Sequence, residues 1–247
     1  MATDPDYPDH TRVLQLLWRG EEKPSPRTGL TAGRVVAAAV AVADEAGLGA
    51  LSMRRVAERL GVGTMSLYTY VPGRAELIPL MVDEVMGELP VVTEHEGWRH
   101  ALESVADGWW AAYRRHPWLL EVPVTRPVLG PHAFDRYEAE LRIIDGLGLS
   151  DVEMNAAVEL VRSHVVGSAR RAIEIARDAE RSGISDDQWW FSVLPTLERV
   201  TAGREYPVAG RVGATIAAPH SDPRDDLAFG LARILDGLEL LISSRRG

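Results

Sequence analysis

Apolar residues recur at helical spacing through most of the chain, and no segment shows the sustained alternation expected of a β-strand. The clearest case lies between residues 32 and 46, where one helix face collects Val35, Val36, Ala39, Val42 and Ala46. Thr31 precedes this face as a suitable N-cap, and Gly47 follows it where a C-terminal glycine is favoured. These patterns predict an all-α protein.

Two shorter helices are predicted directly after this one. The unit consists of the N-cap Ser52, a helix over 53–60, a turn over 61–63 and a helix over 64–70 anchored by Leu67 and Val71. Two short helices joined by a glycine-containing turn, behind a longer supporting helix, form the pattern of a helix-turn-helix. We therefore predict a three-helix DNA-binding domain at residues 30–76.

The rest of the chain is also predicted to be helical. One short helix is predicted directly after the N-cap Asp9. The other predicted helices span 74–89, 93–116, 131–146, 151–182, 185–203 and 222–243. Pro79 falls inside the first long one and is expected to loosen it. We divide the chain into an N-terminal extension at 1–29, partly flexible, the DNA-binding domain at 30–76, and a ligand-binding and dimerisation domain at 77–247.

The third helix of the predicted DNA-binding domain carries a polar face that suits contact with base edges. Its candidate base-reading residues are Thr64, Met65, Ser66, Thr69 and Tyr70. Tyr68 can direct its hydroxyl group to a phosphate, and Arg74 can pair with another. Ser52 and Arg54 lie at a helix N-terminus, where backbone N–H groups attract phosphate. The pattern alone also fits an ordinary three-helix cluster with a solvated polar face.

This stretch resembles the DNA-binding domain of the tetracycline-repressor (TetR) family. The resemblance rests on Ser52-Met53-Arg54-Arg55-Val56-Ala57, Leu60-Gly61-Val62, Ser66-Leu67-Tyr68, Tyr70-Val71 and Arg74. It implies that Ser52 and Arg54 contact the DNA backbone, that the base-reading residues face the major groove, and that Tyr68 and Arg74 hold phosphates. Arg27 and Thr28 resemble an N-terminal arm that reaches a minor groove. The sequence departs from the family pattern in two places: Tyr70 replaces a frequent histidine or phenylalanine, and Pro72-Gly73 replaces more polar residues. Both departures leave the operator sequence open.

The remainder is more loosely similar to a tetracycline-repressor-type C-terminal domain, through residues 115–119 and 205–207. Two apolar seams there are candidates for a dimer interface. They consist of Leu227, Leu231, Ile234, Leu238 and Leu241 in the last helix, and of Met154, Val158, Val161 and Val165 in the helix over 151–182. Either seam also fits an intrachain core. The resemblance favours a homodimer with a four-helix interface, and this homodimer is expected to bind a palindromic operator in double-stranded DNA.

Large aromatic residues cluster in the predicted C-terminal domain, where six of the seven tryptophans lie between Trp98 and Trp190. Adjacent tryptophans on one helix are not expected to face the core together, so one of each pair should point elsewhere, toward a pocket or a partner. The candidate ligand-binding residues are Trp110, Tyr113, Trp118, Tyr137, Arg142, His164 and Trp189. Plain core packing is the alternative. We expect an apolar, partly aromatic effector and no cofactor. His95, Glu96 and His100 are candidate metal ligands, but histidine and glutamate side chains at a helix start are usually solvated, so we expect no metal.

Charge and composition narrow the range of functions. The net charge is −9, yet residues 23–76 hold seven basic and four acidic residues, so the basic character is local. The chain has no cysteine, which excludes disulfides and cysteine nucleophiles. No apolar run is long enough for a bilayer, and the acidic start lacks the features of a secretion signal. We expect a cytoplasmic protein without membrane partners.

No phosphate-binding loop, dinucleotide fingerprint, zinc-protease motif or nucleophile elbow is present, so the sequence does not predict an enzyme. We predict a DNA-binding transcriptional regulator, namely a repressor released from its operator by a small molecule. Two alternatives stay open at this point: an all-helical protein-interaction module that does not bind DNA, and an unrecognised enzyme.

Overall fold

The computed structural model describes residues 8–20, 24–26, 28–92, 97–123, 126–216 and 223–246, and these ranges contain helices and turns but no β-strand. The helices are α1 (His10–Leu17), α2 (Ala32–Ala46), α3 (Met53–Leu60), α4 (Thr64–Leu67), α5 (Arg74–Glu88), α6 (Trp98–Arg115), α7 (Pro131–Arg142), α8 (Asp151–Ser182), α9 (Asp186–Val200), α10 (Pro207–Ile216) and α11 (Pro223–Arg246). Short 3-10 turns lie at Leu48–Ala50 and Pro117–Glu121. The all-α prediction is confirmed.

Side-chain caps determine where several helices begin. The hydroxyl of Thr31 accepts a hydrogen bond from the amide N–H of Arg34 (3.2 Å), and α2 starts at Ala32, directly after Thr31, as predicted. Ser150 and Glu153 form a reciprocal capping box at α8, and Ser185 begins α9 in the same way. Asp9 caps α1. These starts follow from the sequence because a cap is a local interaction.

Other boundaries differ from the prediction. The α4 helix ends at Leu67, whose carbonyl accepts the amides of both Tyr70 and Val71, so residues 68–70 form a turn. The α6 helix begins only at Trp98, and the capping box predicted at 93–96 lies outside the described residues. The predicted cap Asp222 also lies outside them. The helices α7 and α9 stop short of the predicted ends, at Arg142 and Val200. The sequence pattern does not predict α10.

Two hydrophobic cores organise the chain. The first combines α1 to α5 around Val35, Val56, Leu67, Leu77 and Met81, each less than 2% exposed. It extends past residue 76 along α5 and also includes Trp118. The second core joins α6, α8 and α11. The α7 helix packs against both α5 and α8 and so bridges the two cores.

The helices α9 and α10 lie apart from both cores. None of their residues with described exposure is buried, and large apolar side chains such as Phe191 (70%) and Val208 (64%) are exposed. In the described part of the chain, no helix combines the length and apolar character needed to cross a membrane.

Candidate DNA-binding and effector-binding sites

The α3–turn–α4 unit presents a polar surface on a fully buried anchor. Leu67 and Val71 are 0% exposed, whereas Met65 on the same short helix is 79% exposed. Gly61 ends α3 with a left-handed backbone (φ 67°), which places the next residues in the sharp turn between the two helices. The unit therefore has the geometry of a helix-turn-helix with an outward-facing recognition helix.

The predicted base-reading residues lie together on this unit. Met65 and Thr69 are exposed, whereas Thr64 and Ser66 are partly exposed. Tyr70 is half-buried, because its ring packs against the first core. This group can reach base edges through its exposed members, and its role in reading an operator stays a prediction.

The predicted phosphate contacts fall into two groups. Tyr68 is 43% exposed, and Arg54 is 79% exposed with a long ion pair to Glu58 (3.6 Å), so both can reach a DNA backbone. The hydroxyl of Ser52 caps α3 by accepting the amide of Arg55 (3.3 Å). Arg55 itself is exposed beside Arg54. The sequence reasoning missed Arg55, although its charge at a helix N-terminus was the available signal.

Arg74 lies at the start of α5, as predicted, and its phosphate contact stays a prediction, while its side chain also bonds within the protein. Its guanidinium donates to the carbonyls of Leu51 (3.1 Å) and Leu48 (3.1 Å), both in the connection between α2 and α3. The side chain therefore fastens the start of α5 to the DNA-binding unit. Sequence reasoning could not find this contact, because it joins segments 23 and 26 residues apart.

The predicted N-terminal arm is described only in part. Arg27 lies outside the described residues. The hydroxyl of Thr28 accepts the amide of Leu30 (3.3 Å) and so shapes the approach to α2. Arg34, one turn into α2, donates to the carbonyl of Gly29 (2.8 Å) and is exposed. Arg34 is a further basic residue beside the arm that the sequence reasoning did not select.

The predicted dimer seams lie largely inside the protomer, which corrects that prediction. Most of their residues are at most 8% exposed, because α8 packs against α11 and α6 in the second core; they are Val158, Val161, Val165, Leu227, Leu231 and Leu238. Met154, Ile234 and Leu241 are partly exposed at the edges of the seams. Periodicity identifies the buried side of a helix, and that side faces the chain's own core here.

The other side of α8 and α11 is exposed and rich in apolar or small residues. On α8 it carries Val152 (79% exposed), Leu160 (48%) and Gly167, and on α11 it carries Phe229 (69%) and Leu240 (74%). A surface of this composition is typical of an interface with another chain.

The predicted effector residues do not converge on one pocket. Trp110 and Tyr113 lie in the second core together with Trp109. Trp109 and Trp110 are 3% and 6% exposed, so the expectation that only one of two adjacent tryptophans faces the core is wrong for this pair. Tyr137 donates its hydroxyl to Asn155 (2.8 Å), Arg142 is exposed and pairs with Glu138, and His164 bonds to the carbonyl of Leu227 (2.9 Å). Trp189 is 45% exposed on α9. The polar groups of Tyr137, Arg142 and His164 therefore bond to other groups of the protein.

Trp118 belongs to a junction between the two domains. It is 0% exposed within the first core, and its indole N–H donates to Asp44 near the end of α2 (2.7 Å). The ring of His116 lies between Asp44 (2.7 Å) and Glu88 (3.3 Å). This cluster joins α2, α5 and the end of α6, so Trp118 connects the two domains, and its contact with an effector stays a prediction.

A buried polar network lies beside Trp109 and Tyr113. The carboxylate of Glu140, 1% exposed, accepts the indole N–H of Trp109 (2.8 Å), Arg136 Nε (2.9 Å) and Arg162 Nη2 (3.0 Å). Two further nitrogens, Arg136 Nη2 and Arg162 Nε, are buried without a hydrogen-bond partner. Burial raises the pKa of Tyr113 to about 12.

Sequence reasoning missed the three charged members of this network. The available signal was the spacing of Arg136 and Glu140, four residues apart on one helix face. Because such pairs are usually solvated, spacing alone could not indicate burial.

Two grooves are large enough for a small molecule. One of about 620 Å³ lies between the end of α8 and the start of α9 and includes Trp189 in its lining. The other, of about 600 Å³, lies among α1, the start of α2, α5 and the start of α7. In the described part of the chain, no three histidine or acidic side chains are grouped as metal ligands.

An exposed helix-turn-helix joined to a separate helical domain defines a DNA-binding transcriptional regulator. Comparison with known proteins gives the same class. Residues 35–80 match the bacterial regulatory proteins of the tetR family, and residues 89–242 match the tetracyclin repressor-like C-terminal domain. The HTH-type transcriptional repressor DrrR1 of Streptomyces coeruleorubidus is 46% identical over 243 residues, covering 97% of this chain and 89% of that protein.

Solved structures agree with this match. A TetR transcriptional regulator from Streptomyces coelicolor has 27% identity and a TM-score of 0.66, covering 86% of this chain and 99% of that one. The TetR family protein ActR from the same organism, in complex with actinorhodin, has 25% identity and a TM-score of 0.68, with 86% and 98% covered. The chain belongs to the TetR family of transcriptional regulators, as its helix-turn-helix motif predicts.

Proposed function

We propose that the protein is a homodimeric repressor that binds a palindromic operator through residues 30–76 and is released by a small molecule bound within residues 77–247. The observation that carries the proposal is the exposed surface of Met65, Tyr68 and Thr69 on the fully buried Leu67 anchor. The 46% identity to a protein named as a transcriptional repressor supports repression over activation. The proposal assigns no catalysis and places the protein in the cytoplasm, where it has access to DNA.

The exposed face of α8 and α11 supports dimerisation. Leu160, Phe229 and Leu240 are 48%, 69% and 74% exposed in the protomer, and burying such a face against a second copy is favourable. A two-fold dimer would place the two recognition helices in major grooves on one side of the DNA, separated by one helical turn of about 34–36 Å or by a multiple of it. Met154, Ile234 and Leu241 lie at the edge of this face.

The second core supports an effector with both apolar and acceptor groups. Trp109, Trp110 and Tyr113 provide aromatic surface there, and the unpartnered nitrogens of Arg136 and Arg162 can each donate to an oxygen. ActR, which has the same architecture, is solved in complex with actinorhodin. We therefore propose a partly aromatic molecule carrying at least one oxygen acceptor.

Footprinting on the DNA upstream of the protein's own gene tests the proposal. The full chain should protect a palindrome, and its affinity should fall steeply with salt because phosphate contacts release counterions. Tyr68→Phe should weaken binding to all sequences similarly, whereas Thr69→Ala should change base preference. Equal affinity for the palindrome and a scrambled sequence would overturn the proposal.

A further inference from the structure

The α1 helix, which precedes the matched DNA-binding segment at 35–80, is packed into the first core. Val13 and Leu17 are 6% and 9% exposed, and α1 lies along α5. A helix ordered only by its own sequence would be marginal at 8 residues, so tertiary packing holds it in place. The α1 helix is therefore part of the structural framework of the DNA-binding unit.

The end of α1 contacts both domains through two consecutive residues. The indole N–H of Trp18 donates to the carbonyl of Leu129 (2.7 Å), and its ring meets Phe134 of α7 edge-on, with centroids 6.0 Å apart. Next to it, Arg19 Nη1 donates to the carbonyl of Tyr70 (3.1 Å), at the end of the turn that follows the recognition helix. These two residues link the recognition unit to the sensing domain.

This link lies at the opposite end of α2 from the other junction. Asp44, near the end of α2, bonds to His116 and Trp118, whereas the end of α1 shares a groove with Thr31, Ala32 and Gly33 at the start of α2. A helix of 15 residues separates the two points by about 20 Å. A rigid unit held at one point can still rotate about it, and a second point about 20 Å away prevents that rotation.

The second attachment matters because α5, which also joins the two domains, contains Pro79. Proline has no N–H to donate to the carbonyl four residues earlier, so α5 is weakened in its first turns. The α1 helix packs against α5. Beyond its last turn, the chain bonds to Leu129 in the sensing domain and to Tyr70 in the DNA-binding unit, and so it joins the two domains that α5 also connects.

We propose that Trp18 and Arg19 are positioning residues for operator binding. They hold the recognition unit to the sensing domain at a second point and so set the separation of the two recognition helices in the dimer. This inference rests on the proposed function, because separation matters only if a dimer reads two half-sites.

The absence of native cysteine allows a direct test. Ala46 is exposed at the end of α2, so Ala46→Cys gives one spin label per protomer and one label-to-label distance per dimer. In this background, Trp18→Ala and Arg19→Ala should broaden the distance distribution. Both should also weaken affinity for the footprinted operator about tenfold, a typical size for coupling between sites. The dependence of affinity on salt and the affinity for non-operator DNA should not change.

Matched variants separate positioning from charge and from folding. Arg12→Ala removes the same charge from the exposed side of α1 and should leave the distance distribution narrow. Arg19→Lys keeps a donor for the Tyr70 carbonyl and should recover most of the operator affinity. Because Trp18 is 55% exposed, its replacement should preserve the helical circular-dichroism spectrum.

The outcomes are distinguishable from those that test the proposed function. If the parent protein shows no dipolar signal, or binds no operator, the proposed function fails. If the parent shows both, and Trp18→Ala and Arg19→Ala match Arg12→Ala in distribution width and operator affinity, the positioning role is wrong while the proposed function stands. A reduced salt slope for Arg19→Ala would instead assign Arg19 to a phosphate contact and overturn its positioning role.

Discussion

Arg74 and Arg54 are both close to the recognition helix, but their guanidinium groups have different surroundings. Arg74 is half-buried and bonded to two carbonyl groups in the α2–α3 connection. Arg54 is exposed, and its ion pair with Glu58 is long. The first side chain therefore stabilises the protein, whereas the second is available to DNA.

We predict that Arg74→Ala lowers the free energy of unfolding by about 1–3 kcal/mol, because partly buried carbonyls of Leu48 and Leu51 lose charged donors. The matched variant Arg54→Ala should change it by less than about 0.5 kcal/mol and should weaken operator binding. Urea unfolding and DNA-binding titrations on both variants provide the measurement. Equal stability of the two variants would show that the Arg74 contacts are unimportant.

Individual side chains mark the limit of what the sequence could predict. Leu67 and Val71 are predictable as anchors, because their spacing and the neighbouring glycine turn agree. The partners of Arg74 and Trp118 are not predictable, since each bond joins segments more than 20 residues apart. Val161 and Leu231 show a third case: spacing identifies a buried face correctly but does not tell whether the same chain or a partner covers it.

At the scale of elements, the start of α8 combines a capping box with an ion pair between helices. The carboxylate of Glu153 accepts a hydrogen bond from the amide N–H of Ser150 (2.9 Å) and another from the guanidinium of Arg245 in α11. The Ser150 amide bond, followed by the Arg245 bond, lowers the pKa of Glu153 from 4.5 to about 2. One carboxylate thus fixes the helix start and ties it to the last helix.

We predict that Glu153→Gln destabilises the protein in a pH-dependent way. The pKa is lower in the folded state, so the ionised carboxylate stabilises the fold fully above about pH 4.5, and this contribution disappears as the pH falls towards about 2. The melting temperature of the variant should lie below that of the wild type at pH 7, and the gap should narrow from pH 5 downwards. Thermal unfolding across this range measures the gap.

Glu138→Gln is the control, because Glu138 forms an exposed pair with Arg142 and such pairs contribute little. A gap for Glu153→Gln that stayed constant from pH 7 to pH 3 would contradict the role of its charge.

Helix starts are predicted better than helix ends, because a capping side chain bonds to backbone amides close to it in the sequence. Thr31, Ser52 and Ser150 each satisfy backbone amides within three residues, so the signal is complete in a short segment. Helix ends depend on packing, and α4 and α7 end earlier than periodicity indicates. The α10 helix escapes prediction because glycines at positions 210 and 213 weaken its local propensity.

At the scale of the whole molecule, the apolar faces of α8 and α11 indicate how two chains assemble. Leu160 is a sharper test of this face than Ile234, because Ile234 also packs against the protomer's own second core. A charge at Ile234 would therefore disturb folding and assembly together. Leu160 is half exposed, so its replacement affects mainly the surface.

We predict that Leu160→Glu yields folded monomers at micromolar concentration, because a dimer would bury an unpaired carboxylate on each chain. Sedimentation velocity measures the state, and circular dichroism verifies that the helices persist. Val91→Glu is the matched control, since Val91 is 86% exposed and lies on neither α8 nor α11, so this variant should sediment as the wild type does. Operator affinity should fall only for Leu160→Glu, because a monomer reads one half-site. Dimers of Leu160→Glu, or a monomeric wild type, would show that this face does not hold two chains together.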